Sequence, residues 1–280
     1  TKDQNLLDKK GISVKKIEQQ LEIFKTGLPF INLKRAATVD DGILKLNDAE
    51  KDQFISLYDS SKDSIDIVKF VPASGAATRM FKFLFRFLKS YQSKDESINA
   101  YINRKKALDI SLFFIGLEKL PFYNDVIQHL KNTKPHYSQL TLEEQRIEFV
   151  KALLEENQLN YSFYPKGLLP FHKYQDHTAT AFEEHLYEAA QYASSNKNAK
   201  VHFTISDKHL ELFEEEFEKI KDKIEAKTET TFDISFSFQK QSTDTIAVNS
   251  KDEIVRTKSK DLYFRPSGHG ALLNNLNELD

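Results

Sequence analysis

The chain has 280 residues, 40% of them apolar and 12% aromatic, enough for one large or two small domains with a sizeable core. Its net charge of −2, with both signs mixed, gives no basic field for nucleic acid or an anionic membrane, and no apolar run approaches a membrane span. The absence of cysteine excludes disulfides, thiol nucleophiles and cysteine-built metal sites, and it suits a cytoplasmic protein.

Gly11–Gly27 reads as a helix. Ile12, Val14, Ile17, Leu21, Ile23 and Phe24 recur at mixed spacings of three and four, and Gly27 suits a C-cap. Leu28–Ile43 is irregular, broken at Pro29 and Gly42, with Phe30, Ile31 and Leu33 expected to pack. Asn47 suits the N-cap of a second helix, Asp48–Tyr58, with Phe54 and Leu57 inward. Residues 1–64 carry no catalytic spacing and read as an N-terminal helical arm.

Ile65–Met80, IDIVKFVPASGAATRM, is the stretch around which the rest of the chain is organised. An apolar strand ends at Pro72 and passes into a loop of small residues: Ala73, Ser74, Gly75, Ala76, Ala77 and Thr78. Arg79 stands at the junction with a helix over Met80–Tyr91, apolar nearly all round. A strand, a small-residue loop and a helix is how α/β proteins set backbone amides against a phosphate. Larger side chains would hold the phosphate off the amides, and Arg79 adds a full positive charge. Neither GxxxxGK[ST] nor GxGxxG is present, so the two commonest phosphate loops are excluded.

Ser93–Leu159 reads as all helical, with helices over Ser97–Phe114, Tyr123–Lys131 and Thr141–Leu159. Thr141 and Glu144 form a T-x-x-E capping box. Residues 93–160 are expected to be a helical insertion into an α/β domain spanning 65–280.

In Tyr164–Phe171, YPKGLLPF, the residues Pro165, Gly167 and Pro170 bracket Lys166 in a loop, and a helix over Ala179–Tyr192 comes next. Such a lysine is rigidly presented. His172, His177 and His185, with Glu183 and Glu184, lack the i, i+3 or i, i+4 spacing that puts two ligands on one helix turn, so no metal ligands are identified.

From Lys200 the chain alternates. VHFTI is a strand over 201–205. Leu210, Phe213, Phe217, Ile220 and Ile224 give a helix, and TFDISFSF over 231–238 is a strand of period two. This is a β-α-β unit with a parallel crossover. Gln239 and Thr243 or Asp244 lie just past the second strand, where open α/β sheets bind ligands. A hairpin over Thr245–Arg256 is expected. A last strand ends at Arg265, and Pro266-Ser267-Gly268-His269-Gly270 opens onto a helix over Ala271–Leu279. The glycines let backbone approach a ligand.

Three motifs in order carry a resemblance to nucleotidyltransferases of the UDP-sugar pyrophosphorylase type. Pro72, Ala73, Gly75, Thr78, Arg79 and Met80 match P-A-[AG]-G-x-G-[ST]-R-M in register, whereas Ser74 stands where that family has alanine or glycine and Ala77 where it has glycine. The run over 165–170 resembles their P-K-x-L-[LV]-P element. Pro266–Gly270 resembles P-x-G-H-G. Gly11-Ile12-Ser13, Gln20–Phe24, Ala36-Ala37-Thr38, FVPASGAATRMFK and GHGAL resemble, across the whole chain, the bacterial family of domain of unknown function 4301.

The resemblance implies an α/β fold of nucleotide-diphospho-sugar transferase (GT-A, Rossmann-like) type with a mainly parallel sheet. It implies transfer of a nucleoside monophosphate from an NTP, UTP favoured, to a sugar phosphate or similar small phosphorylated substrate. Arg79 and Lys166 would neutralise phosphates. Ala73, Ser74, Gly75, Ala76, Ala77 and Thr78 would cradle them, and Gln239, Gly268, His269 and Gly270 would hold base and ribose. Mg²⁺ is expected. The relatives' metal-binding aspartate lies beyond the last helix, so either the chain is a fragment or the metal site is absent. The alternative is a protein of the same fold that binds nucleotide or sugar nucleotide without turnover.

Overall fold

The computed structural model describes residues 1–279. Two helices open the chain, α1 (Lys2–Lys10) and α2 (Val14–Thr26). The Ser13 hydroxyl caps α2 by accepting the Lys16 N–H, and Gly27 ends it at φ 77°. The short pairing of β1 (Thr38–Val39) and β2 (Gly42–Ile43) precedes α3 (Asp48–Ser61). Asn47 and Glu50 close a reciprocal capping box on α3.

The expected packing of this arm is corrected in part. Phe30 is 103% exposed, Ile31 and Leu33 are exposed as well, and Phe54 and Leu57 on α3 face outward. Ile12 and Ile17 do bury, together with Leu7, against Ile246 and Leu262 near the far end of the chain.

The strand β3 (Val68–Pro72) enters a three-stranded parallel sheet of order β3-β6-β7, with β6 (Asn198–Ile205) central and β7 (Thr231–Phe238) at the other edge. Pro72 lies opposite Thr204, and Thr204 opposite Ser237, so the three strands end together. The helices α9 (Ala181–Tyr192) and α10 (Leu210–Thr228) cover one face. There Val71, Val201, Phe203, Ile205 and Phe232 meet Phe182, Leu186, Phe213, Ile220 and Ile224. The period of two sends the alternate residues of the same strands, Lys200, His202, Thr204, Ser235 and Ser237, to the other face.

Between β3 and β6 lies the helical block: α4 (Lys82–Ser90), α5 (Ile98–Lys105), α6 (Leu108–Ile115), α7 (Tyr123–Thr133) and α8 (Leu142–Leu154). Its own core gathers Leu84, Phe87, Ile98, Phe114, Leu130, Phe149 and Leu153. The single helix expected over Ser97–Phe114 is two, because Lys106 takes the left-handed conformation at φ 51° and caps α5. α4 is shorter than expected and exposes Phe85, so it is not buried all round. The Thr141–Glu144 capping box forms. A hairpin of β4 (Pro170–Lys173) and β5 (Thr178–Thr180) precedes α9.

Helix accounts for 52% of the chain, so it is a mixed α/β protein with a small parallel sheet. After β7, the strand β8 (Thr245–Ile246) pairs antiparallel with β9 (Phe264–Arg265), and single bridges at Val248–Ile254 and Arg256–Leu262 shape the chain between them. The helix expected over Ala271–Leu279 is a tight 3₁₀ turn leading into the short α11 (Leu273–Leu276). No helix of the described residues is long and apolar enough to cross a membrane.

Phe87 is fully buried and stacks on Tyr91, whereas Phe30 has no cover. Phe87→Ala is therefore expected to lower urea-measured stability by about 3–5 kcal/mol, and Phe30→Ala to change it by less than about 0.5 kcal/mol.

Candidate functional site

The first two motifs, far apart in sequence, are hydrogen-bonded neighbours. The Ala77 N–H donates to the Tyr164 carbonyl at 3.0 Å, and the Lys166 N–H donates to the Gly75 carbonyl at 2.9 Å. Together these make an isolated antiparallel bridge between Ala76 and Pro165. The Thr78 hydroxyl adds a bond to the Ser162 carbonyl at 3.1 Å. Arg79 and Lys166 are both exposed. Among the described residues neither side chain has a hydrogen bond or an ion pair.

The loop residues divide into two groups. The Ala73 N–H is bonded to the Thr204 carbonyl at 2.7 Å, and that of Ala77 to Tyr164, so neither amide is left for a ligand. Thr78 spends its hydroxyl on Ser162. The amides of Ser74, Gly75 and Ala76 make no hydrogen bond among the described residues, and Gly75 and Ala76 are exposed. The cradle expected over Ala73–Thr78 therefore narrows to Ser74–Ala76.

Ala77 itself is fully buried in the helical core. Its methyl group is taken up in that core. The helix does not open directly from the loop as expected. A 3₁₀ turn, Ala77–Arg79, intervenes, and α4 begins at Lys82 without a side-chain cap.

Gly75 adopts no positive φ, and a Cβ built on it meets nothing within 4 Å. The same holds for Gly268 and Gly270. Neither backbone conformation nor packing within the described residues requires glycine at these three positions. Gly167 differs, because a Cβ there would meet the Phe213 ring at 3.3 Å.

The third motif sits beyond β7. Gln239 does not point freely at solvent: its side-chain amide donates to the Ser267 carbonyl at 3.0 Å. The Ser267 hydroxyl bonds to the Thr243 carbonyl and shares a hydrogen bond with the Thr245 hydroxyl. Asn275 on α11 donates to the Ser237 hydroxyl at 3.0 Å and to the Phe238 carbonyl at 2.9 Å. These bonds hold Gly268, His269 and Gly270 at the end of β7, with His269 exposed. Because α11 has only four residues, it adds little dipole field.

β3 and β7 flank β6, so their ends lie about 10 Å apart at the strand spacing of a sheet. The first two motifs thus stand at one side of that edge and the third at the other. Between them lies Ser206–His209, at the end of the central strand. Asp207 accepts from the Lys208 N–H and is exposed, whereas Ser206 is half-buried. Burial holds the His209 ring below its ordinary value, with the Phe163 backbone beside it. The signal that would have found this segment is its position past a central parallel strand, not its residue types.

Beneath the edge, His202 is 6% exposed and pinned between two serines, Nδ1 to Ser235 and Nε2 to Ser237, each at 2.8 Å. Burial lowers its pKa. Among the described residues no group of three or more His, Asp or Glu is arranged to hold a metal ion. That includes His172, His177 and His185. His177 bonds to Asp176, and His185 lies by Glu188.

The chain matches the family described as Domain of unknown function (DUF4301) over residues 1–280, and it belongs to that family. No curated protein and no solved structure matches it.

Gly75→Ala and Gly268→Ala are expected to leave the melting temperature within about 2 °C of the parent, because no neighbour has to move. Gly167→Ala should lower it more, as the Phe213 ring must give way. Thermal scans by circular dichroism check both. His202 predicts a pH effect of fixed sign. Its folded pKa lies below the ordinary 6.5, so its stabilising contribution is complete above about pH 6.5 and fades as pH falls toward the folded value. Urea midpoints between pH 7.5 and 5.5 should therefore fall less steeply in His202→Gln than in the parent.

Proposed function

We propose that the edge formed by the ends of β3, β6 and β7 binds a nucleoside triphosphate, and that the protein transfers its nucleoside monophosphate to a small phosphorylated acceptor. The observation that carries this reading is the pairing of the two motif loops. It sets two exposed, unpaired cations, Arg79 and Lys166, beside three uncommitted amides, Ser74–Ala76. Anions of high charge density are recognised by this combination. Kinship with the nucleotide-diphospho-sugar transferase fold is part of the same proposal, supported by the parallel strands and by motifs at two strand ends.

In the proposed reaction an acceptor phosphate oxygen attacks the α-phosphorus of the triphosphate. The new P–O bond forms as the bond from the α-phosphorus to the α–β bridging oxygen breaks, and pyrophosphate leaves with the electron pair. Such chemistry needs positioning and charge neutralisation rather than a covalent nucleophile. Arg79 and Lys166 supply positive charge, and the Ser74–Ala76 amides orient non-bridging oxygens. The Gln239–Ser267 bond presents the Gly268–Gly270 loop to base and ribose, with UTP as the favoured donor. The described residues do not form a protein-built magnesium site. Mg²⁺ would arrive with the triphosphate, held chiefly by phosphate oxygens.

A second reading is binding without turnover, in which the same loops hold a nucleotide or sugar nucleotide and release no pyrophosphate. Ala77 does not argue for it, since its methyl group is turned into the core.

Calorimetric titration with UTP, with and without Mg²⁺, tests the site. Saturable binding is expected, weakened about ten- to a hundredfold in Arg79→Ala and in Lys166→Ala, the range for losing a charge-assisted contact. Both residues are exposed, so the variants should stay folded. Binding unchanged in both variants would move the site elsewhere. Pyrophosphate release on adding an acceptor separates turnover from binding alone.

A further inference from the structure

The helical block carries a cavity of about 590 Å³ that neither motif loop lines. Arg86 and Lys89 of α4, Lys105 of α5 and Lys106 just beyond it line this cavity, with a single carboxylate, Asp109. Four cations against one carboxylate leave a surplus of three positive charges, in a chain whose net charge is −2. Among the described residues the side chains of Lys89, Lys105 and Lys106 make no hydrogen bond or ion pair, and Arg86 comes no nearer to Asp109 than 3.7 Å. Phe83, Ala107 and Ile110 add apolar wall beside the charges. A cleft lined by one sign of charge, with low-dielectric walls, focuses its field and concentrates counter-ions.

Lys106 adds to this cluster at a cost in backbone conformation. It ends α5 in the left-handed region, at φ 51° and ψ 40°, where glycine or asparagine is the usual residue. The two hydroxyl groups in the wall are already committed. Ser90 Oγ donates to the Arg86 carbonyl at 2.7 Å and shares a hydrogen bond of the same length with the Tyr101 hydroxyl. Recognition therefore falls to the cations, which only donate, so the occupant is an anion. One phosphate group brings about 1.5 to 2 negative charges, short of the surplus, whereas two linked groups match it. We infer that this cavity binds a diphosphate group, held by Arg86, Lys89, Lys105 and Lys106. Inorganic pyrophosphate and a nucleoside diphosphate both present that group. The inference is independent of the nucleotidyl-transfer reading, because the cavity shares no residue with the Arg79–Lys166 edge.

Because the Arg79–Lys166 edge also attracts phosphates, the test uses the full chain carrying both Arg79→Ala and Lys166→Ala. It is titrated calorimetrically with pyrophosphate, UDP and orthophosphate, without Mg²⁺. Pyrophosphate is expected to saturate one site and to bind at least about tenfold more tightly than orthophosphate, as contact with further cations implies. Raising the salt from about 50 to 200 mM should weaken it at least about threefold. Adding Lys105→Ala should weaken it at least about fivefold, whereas Lys105→Arg should retain most of the affinity. Lys106→Gly should weaken it likewise while melting no lower than its background, because glycine suits the left-handed backbone. Asp109→Asn, which removes the opposing charge, should tighten it at least about twofold. UDP that binds as tightly and responds to the same variants makes a nucleotide the source of the group, and pyrophosphate binding alone makes it the free anion. The inference is overturned by an absence of saturable binding, by equal affinity for pyrophosphate and orthophosphate, or by unchanged affinity in both Lys105→Ala and Lys106→Gly. If UTP binds the parent chain through Arg79 and the cavity binds no pyrophosphate, the inference falls and the nucleotide reading stands. The reverse result keeps the cavity and removes the edge.

Discussion

Two backbone hydrogen bonds, Ala77 to Tyr164 and Lys166 to Gly75, join parts of the chain that otherwise have separate cores. On one side Ala77 belongs to the helical core, and on the other Val71 belongs to the core of the sheet. Tyr164 packs against both. The bridge is therefore a seam as well as a loop contact. Each such bond contributes only about 1 kcal/mol net, so the bridge persists because both cores hold its two strands in place. The same seam sets the loop that leads to Arg79 beside the loop that carries Lys166.

The sheet supports the site from below by a division of its faces. Alternation along β6 and β7 puts Val201, Phe203 and Ile205 against α9 and α10, and puts His202, Thr204, Ser235 and Ser237 on the opposite face. On the polar side His202 bonds both serines, and the Asn275 amide N–H groups tie α11 to Ser237 and Phe238, while its Oδ1 has no partner among the described residues. Breaking any of these bonds strands a second buried polar group, so they hold the strand end in place. The loop carrying Gly268–Gly270 is thus anchored to the strand that it extends.

Much of this was legible from residue types, and the remainder was hidden for physical reasons. The period-two pattern of β7 and the 3-4 stripe of α10 reflect burial on a single face, so they read directly. The small-residue loops at 73–78 and 266–270 were found because small residues at strand ends are unusual without a close approach. Their pairing partners were not legible, since a backbone bridge between Gly75 and Lys166 leaves no mark on side-chain composition. The break between α5 and α6 was hidden because a lysine, not a glycine, occupies the left-handed position at 106. The hairpin of β4 and β5 was missed because its strands are short and irregular in register. Phe30, Ile31 and Leu33 show the limit of apolarity as a signal. It states a preference for burial and does not supply the surface that would cover them.

A triphosphate bound as proposed would take up the free Ser74–Ala76 amides. Residue-resolved hydrogen exchange of those amides, with and without saturating UTP, tests it most directly. The free protein should exchange these amides fast, and UTP should slow them at least about tenfold, an effect lost in Arg79→Ala. UTP that binds while these three amides exchange as before would contradict it.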